Sequence, residues 1–153
     1  MPRRSILSAV ERESLLAFPD SNDEMIRHYT LSEADLSLIR QRRGDANRLG
    51  FAVQLCLLRH PGQGLLPESS VPVVLLHWVG RQLRTDPMCW SQYAEREETR
   101  REHLLELRAY LCVEPFGLAH YKQAVHATTE LAMQSDQGVV LAANLLDALR
   151  NQR

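Results

Sequence analysis

Apolar residues recur along the chain at three- and four-residue spacing, and no segment alternates between apolar and polar positions over strand length. Serine residues precede several of the apolar runs in the manner of helix caps, as at Ser8, Ser21, Ser32 and Ser70. This pattern predicts helices over about residues 8–18, 23–29, 32–43, 46–59, 70–84, 86–93, 95–111, 118–134 and 138 to the end. We therefore expect an all-α fold, a multi-helix bundle with helix-turn-helix-like units.

A short segment rich in arginine and glycine, Arg40 to Gly50, joins two of these helices. Gly44 allows the left-handed conformation that ends a helix, and Asp45 is expected to cap the helix that follows. The segment therefore predicts a helix, a tight turn and a second helix.

The second helix, about residues 46–59, has an apolar face and, elsewhere, a polar stripe formed by Asn47, Gly50 and Gln54. Such a helix, with arginines at the preceding turn, is typical of DNA-reading modules. We expect Asn47 and Gln54 to contact base edges, since an amide can bond an adenine in two places. In the alternative, Asn47 bonds to its own backbone and Gly50 permits close packing of helices.

The longest break in the helical pattern is the segment HPGQGLLP at residues 60–67. Two glycines and two prolines in eight residues favour a loop. The chain is long enough for one domain or for two small helical subdomains. We place the boundary in this loop, with a first subdomain at residues 1–62 and a second at 63–153.

Charge is distributed unevenly, although the net charge of the chain is only −1. Residues 11–35 contain seven acids and two arginines, whereas residues 40–59 contain five arginines and one acid. This asymmetry would direct a polyanion toward one side of the fold. Every basic residue except Lys122 is arginine, which suits phosphates and guanine edges but is also what a GC-rich genome produces.

Signals for other chemistry are weak. The three cysteines lie among apolar residues and are expected to be reduced core cysteines of a cytosolic protein. The sequence contains no P-loop and no ligand spacing typical of zinc. Its most apolar run is too short to span a bilayer. We therefore expect a soluble protein without a catalytic or metal site and without membrane contact.

Two blocks of sequence resemble a known family. The first block, RGDANRLGFAVQ at residues 43–54, resembles a signature near the N-terminus of the large replicative transposases of Tn-three-type bacterial transposons. The second block, YAEREETRREH at residues 93–103, is similar to the next signature of the same region. The resemblance extends through essentially the whole chain and indicates a part taken from the front of a much longer protein.

The resemblance implies a module that recognises the terminal inverted repeats of a transposon in double-stranded DNA, in the bacterial cytoplasm and associated with the nucleoid. Catalysis in that family uses magnesium and an acidic trio in a distant RNase-H-like domain, so this chain is expected to have no enzymatic activity and no cofactor. The candidate DNA-binding residues, from the arginine-rich turn and the two blocks, are Arg40, Arg42, Arg43, Asn47, Arg48, Gln54, Arg96, Thr99, Arg100, Arg101 and His103.

A second hypothesis is a helical protein-interaction module that pairs two transposase chains. Its anchors would be the aromatic residues Trp78, Trp90 or Tyr93, if these are exposed. The alternative for the same aromatics is packing in the core.

Overall fold

The computed structural model describes residues 6–65 and 70–150, and within these ranges it contains helices and no strand. The all-α prediction is confirmed. A 3-10 helix at Pro87–Cys89 lies between α5 and α6. The α-helices are α1 Ala9–Leu15, α2 Asn22–Tyr29, α3 Glu33–Arg40, α4 Asp45–Arg59, α5 Val73–Leu83, α6 Trp90–Ala94, α7 Glu97–Tyr110, α8 Leu118–Ala132 and α9 Gly138–Arg150.

Side-chain caps begin the first three helices, as predicted, but the expected cap by Ser70 is wrong, because Pro72 is the N-cap of α5 and forms no side-chain cap. Ser8, Ser21 and Ser32 each accept a hydrogen bond from the backbone N–H three residues further on. The start of α4 differs from the prediction. Gly44 is its N-cap, with φ +79°, and Asp45 is already its first helical residue, so the expected cap by the Asp45 side chain is wrong.

The described chain forms two compact units. The larger lies within residues 18–111, and the smaller combines residues 6–17 with 112–150. The expected boundary at residue 62 falls inside the larger unit, because α5, α6 and α7 all contact α4. A loop rich in proline and glycine therefore interrupts the helices here without separating the packing.

Helix α4 is the centre of the larger unit. Every residue from Leu49 to Leu58 is buried, because α3, α5, α6 and α7 cover successive sides of the helix. Burial of each large apolar side chain stabilises the fold by about 1.5–3 kcal/mol. Such a helix has no solvent-facing stripe beyond its first turn.

The smaller unit consists of α1, α8 and α9, with α9 in contact with both of the others. Among its described residues only Ala124 is buried. A Cβ atom at Gly138 would lie 2.7 Å from the side chain of Ile6, so the glycine permits a close approach of the N-terminal segment. With so small a buried core, this unit is expected to open more readily than the larger one.

The cysteines are free but are not all in the core. Cys56 is buried, Cys89 is partly buried and Cys112 is exposed, so the core prediction is wrong for Cys112. Burial raises the pKa of the Cys56 thiol to about 12, which keeps it protonated and unreactive at neutral pH.

Candidate nucleic-acid interface

The turn between α3 and α4 carries the first group of arginines. Arg40 and Arg43 are exposed, and Arg43 forms no ion pair within the described residues. Arg48 is partly exposed; its Nε donates to the carbonyl of Arg42 at 3.0 Å, and its guanidinium lies 3.7 Å from Asp45. This turn therefore presents arginine side chains to solvent from a backbone that is itself held in place.

Arg42 has a different environment from its neighbours. Its guanidinium donates to Glu106 at 2.7 Å and lies 4.9 Å from the ring centroid of Phe51, and only 19% of the side chain is exposed. These contacts join the turn to α7. Arg42 is therefore already paired within the fold and is not part of the candidate DNA surface.

Asn47 bonds to its own backbone. Its Nδ2 donates to the carbonyl of Arg43 at 2.9 Å and so closes the turn at the start of α4. Gly50, one turn further on, lies directly under Tyr93, since a Cβ atom there would be 2.2 Å from the aromatic ring. Both contacts support the alternative to base reading, in which Asn47 stabilises the turn and Gly50 permits close packing of helices.

Gln54 is buried, with 1% of its surface exposed, so its predicted position on an outer stripe is wrong. Its Nε2 donates to the hydroxyl of Tyr93 and to the carbonyl of Arg100, the latter at 3.0 Å. The first and second blocks therefore meet in space through this amide. Gln54 holds the first turns of α7 against α4.

His103 completes the buried polar network. The Tyr93 hydroxyl, which accepts from Gln54, also shares a hydrogen bond with Nδ1 of His103, 3.0 Å away, and the direction of this bond is set by the tautomer of the imidazole. Burial, reinforced by the positive charge of Arg42, lowers the pKa of His103 and so favours its neutral form. Burial also raises the pKa of Tyr93 to about 12, against the lowering effect of Gln54 and Arg100. His103 is therefore a core residue and is not available to DNA.

A second group of arginines lies at the start of α7. Arg96 and Arg101 are exposed and form no ion pair in the described part of the chain. Thr99 and Arg100 are partly buried, and the Nε of Arg100 is buried with no hydrogen-bond partner among the described residues. Of the candidates in the second block, Arg96 and Arg101 are thus the side chains best placed to contact a ligand.

Sequence reasoning missed an ion pair that ties three helices together. The Asp35 carboxylate, wholly buried, accepts from both terminal nitrogens of Arg59 at 2.6 and 2.8 Å, from the Tyr110 hydroxyl at 2.9 Å and from the Ser32 N–H at 2.8 Å. Burial raises its pKa, but the bonds from Arg59 and Ser32 outweigh this and lower the pKa to about 2. Only the capping role of Asp35 was visible in the sequence.

The aromatic residues considered as interaction anchors belong to the core. Tyr93 is buried, and Trp90 is partly buried against the core cluster. Trp78 is also partly buried, and its Nε1 donates to the carbonyl of Tyr29 at 3.3 Å. The core interpretation of these three side chains is confirmed.

Residues 6–65 and 70–150 hold no group of three or more His, Cys, Asp or Glu side chains suited to a metal ion. Nor does any helix in these ranges have the length and apolar character needed to cross a membrane.

The fold and the site define an all-helical module. Its α3–α4 turn and the start of α7 both carry exposed arginines, and Gln54 holds α7 against α4. The family described as "Domain of unknown function (DUF4158)" matches residues 6–153. The chain belongs to this family.

The relatives of the chain include transposases of bacterial transposons. It is 58% identical over 153 residues to the transposase for transposon Tn501 of Pseudomonas aeruginosa, covering 100% of this chain and 16% of that protein. It is 60% identical over 152 residues to the transposase for transposon Tn3926 and 58% identical over 152 residues to that for Tn21, both of Escherichia coli, each covering 99% of this chain and 15% of the relative. The predicted resemblance to transposases is confirmed, and the chain spans about one-sixth of the length of these relatives.

Proposed function

We propose that this chain is a DNA-binding module of a transposase and that it recognises the terminal inverted repeats of its transposon. The observation that supports this most is the exposed arginine group of the α3–α4 turn, in a chain whose relatives along its full length are transposases. Arg40 and Arg43 lie where a phosphate can reach them, and arginine forms paired hydrogen bonds to phosphate oxygens.

The start of α7 supplies a second point of contact under this proposal. Gln54 joins α4 to α7, so Arg96 and Arg101 are held at a set position relative to the α3–α4 turn. Arginines held in this way lose less conformational entropy on binding than arginines on mobile segments. Gln54 and His103 are then positioning residues, and the contacts to phosphate belong to the exposed arginines of the two groups.

The test is fluorescence anisotropy with a labelled duplex that carries the terminal inverted repeat of the element, beside a scrambled duplex of equal length. The wild-type chain should bind the repeat more tightly, and log affinity should fall linearly with log salt by about 0.9 for each phosphate contact. Arg43→Ala should weaken binding to both duplexes and reduce the slope by about 0.9.

A matched control is Arg27→Ala, which removes an exposed arginine from the acidic stretch at residues 11–35. It changes the net charge equally and should leave affinity and slope unchanged. Equal effects of the two substitutions would mean that binding follows net charge, and an affinity that does not depend on salt would refute the proposal.

We further propose that binding needs no metal ion and that this chain does not cut or join DNA by itself. Addition of a magnesium chelator should leave the affinity unchanged. Magnesium-dependent cleavage of the duplex by the purified chain would overturn this part of the proposal.

A further inference from the structure

Helix α5 has an exposed face that takes no part in the site described above. Val73 and Val74 are 65% and 66% exposed, and His77 and Arg81 follow them on the same side of the helix. The opposite side, with Leu75 and Val79, is buried in the core. Two adjacent valines are thus exposed at the start of a helix whose other apolar residues are largely buried.

Helix α5 itself contains no acidic residue. No acidic residue occurs between residues 70 and 85, and α5 and the five-residue α6 are the only described α-helices of the larger unit without one. The exposed face of α7 mixes Arg101 with Glu98 and Glu102. The next acid after α5, Asp86, caps the 3-10 helix by accepting from the N–H of Met88 at 2.9 Å.

Arg84 ends this face in a conformation that favours glycine. Its φ is 55° and its ψ is 41°, the left-handed region, and the N–H of Thr85 returns to the carbonyl of Gly80 at 2.9 Å. Gly80 permits this closure, since a Cβ atom there would lie 2.8 Å from the carbonyl oxygen of Thr85. The chain therefore has an exposed guanidinium at a position where glycine would remove the backbone strain.

Helix α4 cannot fill the role expected of the second helix of a helix-turn-helix, because its residues from Leu49 to Leu58 are buried. We propose that the exposed face of α5 is a DNA-contacting surface that enters a major groove. Val73 and Val74 contact thymine methyl groups, Arg81 bonds a guanine edge and Arg84 holds a phosphate at the end of the helix. The identity of the ligand as duplex DNA rests on the proposed function above.

The dimensions suit this assignment. Val74 and Arg81 are seven positions apart, so their backbones lie about 10 Å apart along the helix axis, at 1.5 Å per residue. That distance corresponds to about three base pairs of B-DNA. The groove is wide enough to admit an α-helix, and the polar and apolar ends of the face would read different bases.

The first experiment uses Arg84→Gly in the full chain, with the labelled terminal-repeat and scrambled duplexes. Because glycine relieves the positive φ, the melting temperature should stay the same or rise. The affinity for both duplexes should fall, and the salt slope should decrease by about 0.9. A variant that is at least as stable as the wild type and binds equally well would overturn the role of Arg84.

The second experiment tests the reading of thymine. The double variant Val73→Ala/Val74→Ala should bind the terminal repeat more weakly, by about fourfold for each thymine methyl group that the shorter side chains no longer reach. Its affinity for scrambled DNA should equal that of the wild type. A repeat duplex with deoxyuridine in place of thymidine lacks those methyl groups. On this duplex the wild-type chain should lose the same factor, and the double variant should lose nothing further. Equal binding of the wild-type chain to both repeat duplexes would overturn the role of the valines.

The outcomes separate this inference from the proposed function. If the wild-type chain does not prefer the terminal repeat, the proposed function fails. If it does prefer the repeat and Arg43→Ala weakens binding, while Arg81→Ala, Arg84→Gly and the double valine variant bind like the wild type, then only the assignment of α5 fails. Arg81→Ala is again compared with Arg27→Ala.

Discussion

Replacement of Gln54 distinguishes most sharply between the role expected from its sequence block and the role seen in the structure. As a base-reading residue, it would affect DNA specificity and leave stability unchanged. In the structure its side chain is 1% exposed and donates two hydrogen bonds, to Tyr93 and to the carbonyl of Arg100. Its substitution should therefore destabilise the larger unit.

The magnitude follows from what each variant removes. Gln54→Met keeps an unbranched side chain of similar length and loses both hydrogen bonds, at a net cost of about 0.5–1.5 kcal/mol each. The hydroxyl of Tyr93 keeps His103 as a partner, which limits the penalty. Gln54→Ala also leaves a cavity in the core, so we expect a loss of about 3–5 kcal/mol.

Differential scanning calorimetry and anisotropy on the same preparations test this prediction. For a unit of this size, each 1 kcal/mol lowers the melting temperature by about 4–8 °C, so Gln54→Ala should shift it by at least about 12 °C. At a temperature where both variants are folded, the ratio of affinities for terminal-repeat and scrambled DNA should equal that of the wild type. Unchanged stability together with a reduced ratio would refute the reasoning.

Three further predictions concern stability. Because the native pKa of Asp35 is lowered to about 2, its ionised form adds about 2.5 kcal/mol to the free energy of unfolding at pH above about 4. This contribution is lost as the pH falls from about 4 to 2, so the urea midpoint should decrease over that range in the wild type but not in Asp35→Asn. Gly50→Ala drives a methyl group into Tyr93 and should cost about 1–3 kcal/mol by urea unfolding, whereas Gly64→Ala, with neighbours at an ordinary distance of 3.5 Å, should be neutral. Asn47→Ala removes one hydrogen bond and should lower the melting temperature by roughly 4–8 °C without changing DNA specificity; a selective loss on the terminal repeat would instead favour base reading.

Asp35→Asn should also destabilise the chain at neutral pH by about 3 kcal/mol, since the guanidinium of Arg59 loses its ionised partner. If the stability of the wild type is constant between about pH 4 and 2, the ion pair does not contribute in the way that we infer.

Helix positions could be predicted from the sequence because they depend on neighbours a few residues apart. The serine caps and the apolar spacing predicted nearly every helix, including the turn at Gly44. The two blocks identified the transposase relatives, since a long ordered match carries information that no single residue does. Local chemistry and extended similarity were sufficient for these conclusions.

The packing of α4 was decided only by the tertiary structure. Its stripe of Asn47, Gly50 and Gln54 is polar by composition, and one helix alone does not show whether such a stripe faces water or other helices. Here α6 and α7 cover it, so Gly50 lies against an aromatic ring and Gln54 is satisfied by partners 39 and 46 residues away. The periodicity of a single helix cannot encode such distant partners.

The same reason explains why the sequence did not show that the loop at residues 60–67 lies inside one unit, or which face of α5 is exposed. A loop with two glycines and two prolines ends a helix, but only contacts distant in sequence decide whether the next helix packs on the previous core. The apolar spacing of α5 predicted that Val74 lies inward with Leu75, which is wrong, because Val74 is 66% exposed. The exposed face of α5 became a candidate only when α4 proved to be enclosed. Local sequence determined the helices and their caps, whereas the surface left for DNA was determined by which helices cover one another, because burial is a property of the whole fold.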